Sequence, residues 1–194
     1  MKLLAIGAFA LASLAASAAA AQQAQPAVNH GPAINGVCVY TPSLAFAQST
    51  AGQGMVNRLR ELAVEVQGEL APSQTWLQSE YQALQSGGQA SDPDGSRGRA
   101  WQQRARETQQ TEEIRSNELE YTRRVQTNAL TDAFRPIVIG LYQEKGCSLL
   151  LDGSSVLASN PAMDITQEAV TRMNRQMPAL PAFNRMSVPV QQQQ

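Results

Sequence analysis

A long polar stretch from about residue 50 to residue 145 carries apolar residues three or four positions apart, and this spacing constrains the fold most. They form one row before a glycine-rich segment and a sparser row after it. The rows are Met55, Leu59, Leu62, Val66, Leu70, Leu77 and Leu84, then Trp101, Ala105, Ile114, Leu119, Tyr121, Val125 and Ala129. Each row makes a narrow apolar stripe on an otherwise polar helix. Two such helices pack against each other but cannot enclose a core, so the sequence predicts a long α-helical hairpin.

Residues that stop helices mark the turn of this hairpin between Gly87 and Gly98. Glycine, proline, serine and aspartate are concentrated there, and all four favour turns. Two prolines lie inside the predicted helices, Pro72 in the first and Pro136 near the base of the second. Because a proline removes a backbone donor, each predicts a kink or break. We favour a tolerated irregularity over a designed hinge at both positions.

Short apolar runs with strand character precede and follow the hairpin. Val37–Tyr40 predicts one strand, and residues 147–151 predict a second. Asp152-Gly153 is a strong hairpin signal, so a third strand is predicted over residues 155–158. The strands lie on both sides of the hairpin in the sequence, and they can bury their apolar residues only by meeting at its base.

A closing helix is predicted from a capping box at Asp164 and Gln167 to about Met177. The predicted fold class is therefore α+β, with helical arms over residues 51–136 projecting from a small β-sheet body. That body combines residues 34–50 with residues 137–177. Three short strands and one helix form a marginal core for a single chain. The exposed edge of such a sheet favours pairing with another copy.

Both ends of the chain lack the pattern of a packed core. Residues 1–21 combine Lys2, an apolar run and small residues, which predicts a signal peptide cleaved near Ala21 and an exported protein. Residues 22–33 are rich in Gln, Ala and Pro and predict a flexible leader. Residues 178–194 hold several prolines and end in a run of glutamine, which predicts a disordered tail.

Composition and motifs argue against several classes of function. The formal net charge is −1, so the chain lacks the basic excess of a nucleic-acid-binding protein. His30 is the only histidine and lies in the polar leader, so the usual catalytic triads and zinc sites lack their parts. The sequence has no phosphate-binding loop with a Gly-Lys-Ser motif. We therefore predict no enzyme, no cofactor and no metal site.

The order of elements resembles that of the Skp/OmpH family of periplasmic chaperones, over about residues 34–177. The residues that carry the resemblance are Val37–Tyr40, 146–152 (Gly-Cys-Ser-Leu-Leu-Leu-Asp), Asp164-Ile165-Thr166, Val170 and Met173-Asn174. The resemblance implies a periplasmic homotrimer with a β-rich body and three arms around a cavity. That cavity would hold unfolded outer-membrane proteins without ATP.

The chain differs from this family in its charge. Family members are often lysine-rich and basic, whereas this chain is rich in arginine and glutamine and slightly acidic. The resemblance therefore implies at most a weak contact with a membrane surface. The alternative function, from a different class, is a coiled-coil structural or adaptor protein of the cell envelope whose arms bind one fixed partner.

Aromatic and arginine side chains of the arms are the candidate client-binding residues. Aromatic side chains offer a large contact area at low entropic cost. The arginines near the tip form either ion pairs within the hairpin or a surface for acidic clients and lipid headgroups. Packing between the arms is the favoured interpretation for the leucines beside them, Leu70, Leu77 and Leu84. The candidates are Trp76, Tyr81 and Trp101, with Arg97, Arg99, Arg104 and Arg106.

The only two cysteines, Cys38 and Cys147, lie in the strands predicted immediately before and after the arms. An exported chain with an even number of cysteines favours a disulfide. The competing interpretation is two buried thiols on opposite faces of the sheet, because side chains alternate along a strand. We favour the disulfide. A redox-active site is not predicted, because the cysteines lack Cys-x-x-Cys spacing.

Overall fold

The computed structural model describes residues 28–189. The chain divides into two units, Met1–His30 and Gly31–Gln194. Only residues 28–30 of the first unit are described, and they contain no helix or strand. The predicted signal peptide, residues 22–27 of the predicted leader and residues 190–194 of the predicted tail lie outside the described residues.

The arms of the second unit are two long antiparallel helices, which confirms the predicted hairpin. Helix α2 spans Thr50–Ser91 and helix α3 spans Ser96–Glu144. At about 1.5 Å per residue, α3 is roughly 70 Å long. Few arm side chains are shielded from water: beyond Val66, no described side chain of α2 is buried. The arms therefore depend on a narrow seam and on polar contacts rather than on a core.

Neither proline breaks its helix, contrary to the interruptions predicted at Pro72 and Pro136. Helix α2 runs through the first and α3 through the second. The buried residues Phe134 and Ile137 hold α3 against the body on both sides of Pro136, which offsets the lost hydrogen bond. The non-helical residue inside α2 is instead Gly88, with φ 53° and ψ −148°. Glycine adopts this left-handed backbone without the clash that a Cβ would cause.

Two parallel strands form the sheet at the base of the arms. Strand β1 (Val37–Tyr40) pairs with strand β2 (Leu149–Asp152), with Val37 opposite Leu149 and Tyr40 opposite Asp152. Val39 also forms a parallel bridge to Asp164. The two strands thus join the chain immediately before the arms to the chain immediately after them.

The predicted hairpin after β2 and the third strand over residues 155–158 are wrong. Residues Gly153–Ser155 form a 3₁₀ turn, and no strand is found over 155–158. The Asp152 carboxylate accepts hydrogen bonds from the Ser154 amide (2.8 Å) and the Ser154 hydroxyl (2.7 Å), which stabilises this turn. Because β2 is parallel to β1, the chain crosses the base before Asp164 reaches β1.

Helix α4 (Thr166–Gln176) closes the core, as predicted, and also holds the starts of two other helices. The Thr166 hydroxyl accepts a hydrogen bond from the Thr41 amide (3.0 Å), just before helix α1 (Pro42–Gln48). The Asn174 side chain accepts one from the Thr50 amide (2.9 Å), at the start of α2. Amides at helix starts lack partners within their helices. These two residues therefore have structural roles at the base.

The core lies where α1, α4 and the base of α3 meet the sheet. Each element supplies side chains that are almost completely buried. They are Ala45 of α1, Met55 of α2, Leu130, Phe134 and Leu141 of α3, and Ala169, Val170 and Met173 of α4. Strand β1 contributes Cys38 and Val39 to the buried residues of the body, whereas no residue of β2 is fully buried.

The predicted disulfide is confirmed: Cys38 and Cys147 are bonded, with their Cα atoms 5.8 Å apart. Cys38 lies opposite Leu150 in the sheet register, so the bond joins β1 to the residue two positions before β2 rather than to its rung partner. Both cysteines are buried in the core. The two cysteines are 109 positions apart in the sequence, and the bond closes a segment that contains both arms.

Residues 178–189 require a correction to the predicted disordered tail. They contain no helix or strand, but they lie along the arms. The Phe183 carbonyl accepts a hydrogen bond from Arg58 (3.1 Å), and Arg185 forms an ion pair with Glu69 (2.8 Å). The composition of this segment indicates that it can bury little apolar surface by itself. It does not indicate that the segment binds residues of α2 that lie more than 100 positions away in the sequence.

Replacing both cysteines by serine is expected to destabilise the body and leave the arms helical. A bond that closes a loop of this length stabilises by roughly 4–5 kcal/mol in the chain-entropy model. Urea unfolding at fixed protein concentration, followed by circular dichroism, measures the loss. A reducing agent should destabilise the wild type but not the double variant. Equal unfolding midpoints for the oxidised wild type and the variant would contradict the expected contribution.

Candidate functional site

The turn between the arms is an ordered cap rather than a loose loop. The Asp92 carboxylate accepts hydrogen bonds from the amides of Arg97 (3.0 Å) and Gly98 (2.8 Å) at the start of α3. A carboxylate at this position satisfies helix amides and complements the positive end of the helix dipole. Asp94 accepts from the Ser96 amide (3.1 Å), and the hydrogen bonds of Ser96 lower the pKa of Asp94.

Two of the candidate arginines contribute to this turn. The Arg97 guanidinium donates to Glu80 of α2 (2.7 Å) and to the Ser91 carbonyl (3.0 Å), so it ties the two arms together. The hydrogen bond from Arg97 lowers the pKa of Glu80. Arg99 donates to the Asp94 carbonyl (3.1 Å). Arg106 lies exposed on α3.

The three candidate aromatic residues and Arg104 form two separate pairs between the arms, Tyr81 with Trp101 and Trp76 with Arg104. The indole of Trp101 donates to the Leu77 carbonyl (2.9 Å), and its ring lies 5.8 Å from that of Tyr81. The Arg104 guanidinium lies over the Trp76 ring, 5.6 Å from its centre. We call Trp76, Tyr81, Trp101 and Arg104 the arm aromatic cluster.

The cluster combines packing between the arms with exposed aromatic surface. Trp101 is half-buried and hydrogen-bonded across the seam, so its first role is to hold the arms together. Trp76 and Tyr81 remain 36% and 49% exposed. Leu70, Leu77 and Leu84 are half-buried, as expected for side chains in a narrow seam. The structure thus leaves two aromatic rings open to a partner.

The body carries an apolar groove that sequence patterns did not reveal. Its volume is about 200 Å³. The lining residues are Tyr40, Pro42, Phe46, Thr131, Phe134, Arg135, Val138 and Ile139. The signal that could have found it is the apolar run Ile137-Val138-Ile139, which is too dense for one helical stripe. Ile139 is 48% exposed, so this run is apolar on a second face as well.

Tyr40, one of the residues that line the groove, has a hydroxyl shielded from water. Its hydroxyl is buried and has no hydrogen-bond partner among the described residues. Burial raises the pKa of Tyr40 to about 12, because the charged phenolate would be poorly hydrated there. A buried hydroxyl without a partner costs free energy.

Two other kinds of structural feature are absent from residues 28–189. No cluster of His, Cys, Asp and Glu suited to binding a metal ion occurs in that range. No helix in it combines the length and apolar character required to cross a membrane.

Two comparisons with known proteins point to the same family. The family model described as "Outer membrane protein (OmpH-like)" matches residues 36–173. A crystal structure from Caulobacter crescentus CB15 is 30% identical in sequence and has a TM-score of 0.73. The match covers 86% of this chain and 98% of that chain, which is described as OmpH-like and as a candidate outer membrane chaperone. A search of curated proteins found no match.

The ion pair between Arg97 and Glu80 predicts a pH dependence at the arm tip. Arg97 lowers the pKa of Glu80 below its ordinary value of 4.5. The ion pair therefore stabilises the folded tip fully at pH values above 4.5. This stabilisation is lost as the pH falls through the lowered pKa. In Arg97→Gln, the pKa of Glu80 should rise towards its ordinary value. An NMR titration of the carboxyl groups measures this change. Arg99→Gln is the matched control and should leave that pKa unchanged, whereas identical titrations in all three proteins would contradict the assignment.

Proposed function

Because the chain belongs to the OmpH-like family, we propose that it is an ATP-independent holdase of the periplasm that shields unfolded outer-membrane β-barrel proteins between its arms. One observation carries the proposal: two long arms bear partly exposed aromatic residues and project from a base that a disulfide holds together. We further propose that it has no catalytic activity and needs no cofactor.

The surface of the arms suits an unfolded barrel protein as a client. The strands of such a protein alternate apolar and polar residues, so its unfolded chain exposes apolar side chains along its whole length. The exposed faces of Trp76 and Tyr81 provide apolar contacts amid a polar surface. Many shallow contacts of this kind hold a chain without preventing its release. The arginines Arg97, Arg99, Arg104 and Arg106 stay in this proposal as candidates for acidic client segments.

We propose that three copies associate through the body, which would place their arms around a common cavity. The apolar groove and its exposed residue Ile139 support an interface at this position. The sheet also supports it, because Leu149 of β2 is 50% exposed at the sheet. Unpaired strand edges and exposed apolar side chains favour association with another chain.

A light-scattering assay tests the holdase role. A denatured barrel protein is diluted into buffer with increasing amounts of the mature chain, and aggregation is recorded. Suppression for several unrelated barrel proteins supports the proposal. Binding to one fixed partner, without suppression, would instead support the coiled-coil adaptor.

Removing the exposed aromatic side chains should weaken this activity. For Trp76→Ala with Tyr81→Ala, we expect a loss of about 1–2 kcal/mol of client binding, roughly 5- to 30-fold in affinity. The matched control is Val56→Ala with Val64→Ala, which removes exposed apolar groups elsewhere on α2. Helicity should be unchanged in both. An unaltered suppression curve for the aromatic variant would place the client elsewhere.

A charge in the apolar groove should disrupt the proposed trimer. Ile139→Asp buries an unpaired carboxylate at the interface, so sedimentation at micromolar concentration should show a shift from trimer towards monomer. Leu157→Asp alters a fully exposed apolar residue and should leave the trimer intact. A wild-type chain that sediments as a monomer would contradict the trimer itself. If both variants remain trimeric, the interface lies outside the groove.

A further inference from the structure

The segment that follows α4 leaves the body and continues along the arms. Leu180 and Phe183 pack against the edge of the core. Arg58 of α2 then donates hydrogen bonds to the Phe183 carbonyl (3.1 Å) and to the Asn184 side chain (3.1 Å). We call residues 178–189 the docked tail. It has no regular secondary structure, so its position depends on contacts with α2 and α3.

Arg185 is the central side chain of the docked tail. It forms ion pairs with Glu69 of α2 (2.8 Å) and Glu118 of α3 (3.0 Å). The side chain of Arg185 is only 18% exposed and that of Glu118 only 11%. Exposed ion pairs contribute little, but a shielded arginine between two carboxylates has partners that water would not replace easily.

The same two carboxylates also face Arg115 of α3. Arg115 lies 2.9 Å from Glu69 and 2.9 Å from Glu118. Two arginines and two glutamates therefore form one network, to which α2, α3 and the docked tail contribute. Without Arg185 of the docked tail, the site contains one positive side chain, Arg115, and two negative ones, Glu69 and Glu118. The arm surface thus has an acidic excess at the point where a second guanidinium binds.

Two other contacts of the docked tail are made through its main chain. The Met186 amide donates to the hydroxyl of Thr122 (2.8 Å), which is completely buried. Arg58 binds the Phe183 carbonyl, as described above. Main-chain contacts of this kind accept almost any side chain on the bound segment. An extended segment with an arginine at the correct position would satisfy all of them.

Space on α3 remains open beside the docked tail. A cleft of about 400 Å³ lies between Ser187 and Val188 on one side and α3 on the other. Its α3 lining includes Ile114 and Tyr121, and Ile114 is 54% exposed. The docked tail therefore leaves part of this α3 surface, including Ile114, open to solvent.

We infer that the surface of α2 and α3 around Glu69 and Glu118 is a binding groove for an extended polypeptide that places an arginine between these two carboxylates. The docked tail fills this groove when no other segment is bound. The inference rests on the proposed function, since the competing segments would belong to unfolded clients. It adds a site on the lower half of the arms to the arm aromatic cluster. It also explains why the tail carries Arg185 amid small and apolar residues.

Competition between the tail and a free peptide tests the inference on the full mature chain. The probe is a fluorescent peptide with the sequence of residues 179–189, and its binding is followed by fluorescence anisotropy. In Arg185→Ala the tail loses both ion pairs, so the groove opens to the peptide. We expect this variant to bind the peptide at least ten-fold more tightly than the wild type, whose tail is tethered at high effective concentration. Arg175→Ala removes an exposed arginine of α4 and should bind like the wild type.

The chemistry of the groove is tested by two further changes. A peptide in which the arginine is replaced by alanine should bind Arg185→Ala at least ten-fold more weakly than the native peptide. Adding Glu69→Gln and Glu118→Gln to Arg185→Ala should remove this preference. Equal peptide binding by the wild type and Arg185→Ala, or equal binding of the two peptides, would overturn the inference.

The light-scattering assay distinguishes a failure of the peptide groove from a failure of the proposed holdase role. Arg185→Ala should suppress aggregation at a lower chaperone concentration than the wild type if client segments use the opened groove. Peptide binding without suppression by either protein would contradict the holdase and leave the peptide groove in place. Suppression by both proteins without peptide binding would overturn the groove and leave the holdase in place.

Discussion

The structure depends on one closure at its base, where β1 meets β2 and Cys38 is bonded to Cys147. The two cysteines are 109 positions apart in the sequence, and the arms between them bury few side chains. Bringing the ends of so long a segment together is entropically unfavourable. The parallel pairing, the disulfide and the base core offset this cost. The arms can therefore remain thin and polar without separating from the body.

The residues around this closure have structural rather than chemical roles. Thr166 and Asn174 of α4 accept hydrogen bonds from amides at the starts of α1 and α2, and Asp164 bridges to β1. They are the residues by which the sequence resembles its family, so the family pattern marks the base. The arms use different physics: aromatic packing and ion pairs along a seam. This division lets the arm surface contact partners while the body maintains its geometry.

The hairpin, both strands, the closing helix and the disulfide could be predicted, because each has a local signal or an unavoidable partner. The prediction of a third strand was wrong because the chain forms a 3₁₀ turn at Gly153–Ser155, where the Asp152 side chain accepts a hydrogen bond from the Ser154 amide. The Asp-Gly dipeptide alone does not distinguish such a turn from a hairpin. Helix α3 continues through Pro136 because the packing of Phe134 and Ile137 outweighs one lost hydrogen bond. At the candidate site, the aromatic residues could be named from composition. The docked tail and its pairing with Glu69 and Glu118 could not, because these contacts join residues far apart in the chain.

Site-specific photo-crosslinking tests most directly the central claim that the arms, rather than the body, hold the client. A photoreactive phenylalanine analogue replaces Tyr81 on the arm or Leu157 on the body, both of which are exposed. Each protein is irradiated with an unfolded outer-membrane barrel protein bound. The account predicts crosslinks to the client from position 81 and few or none from position 157. Crosslinks confined to position 157 would contradict it.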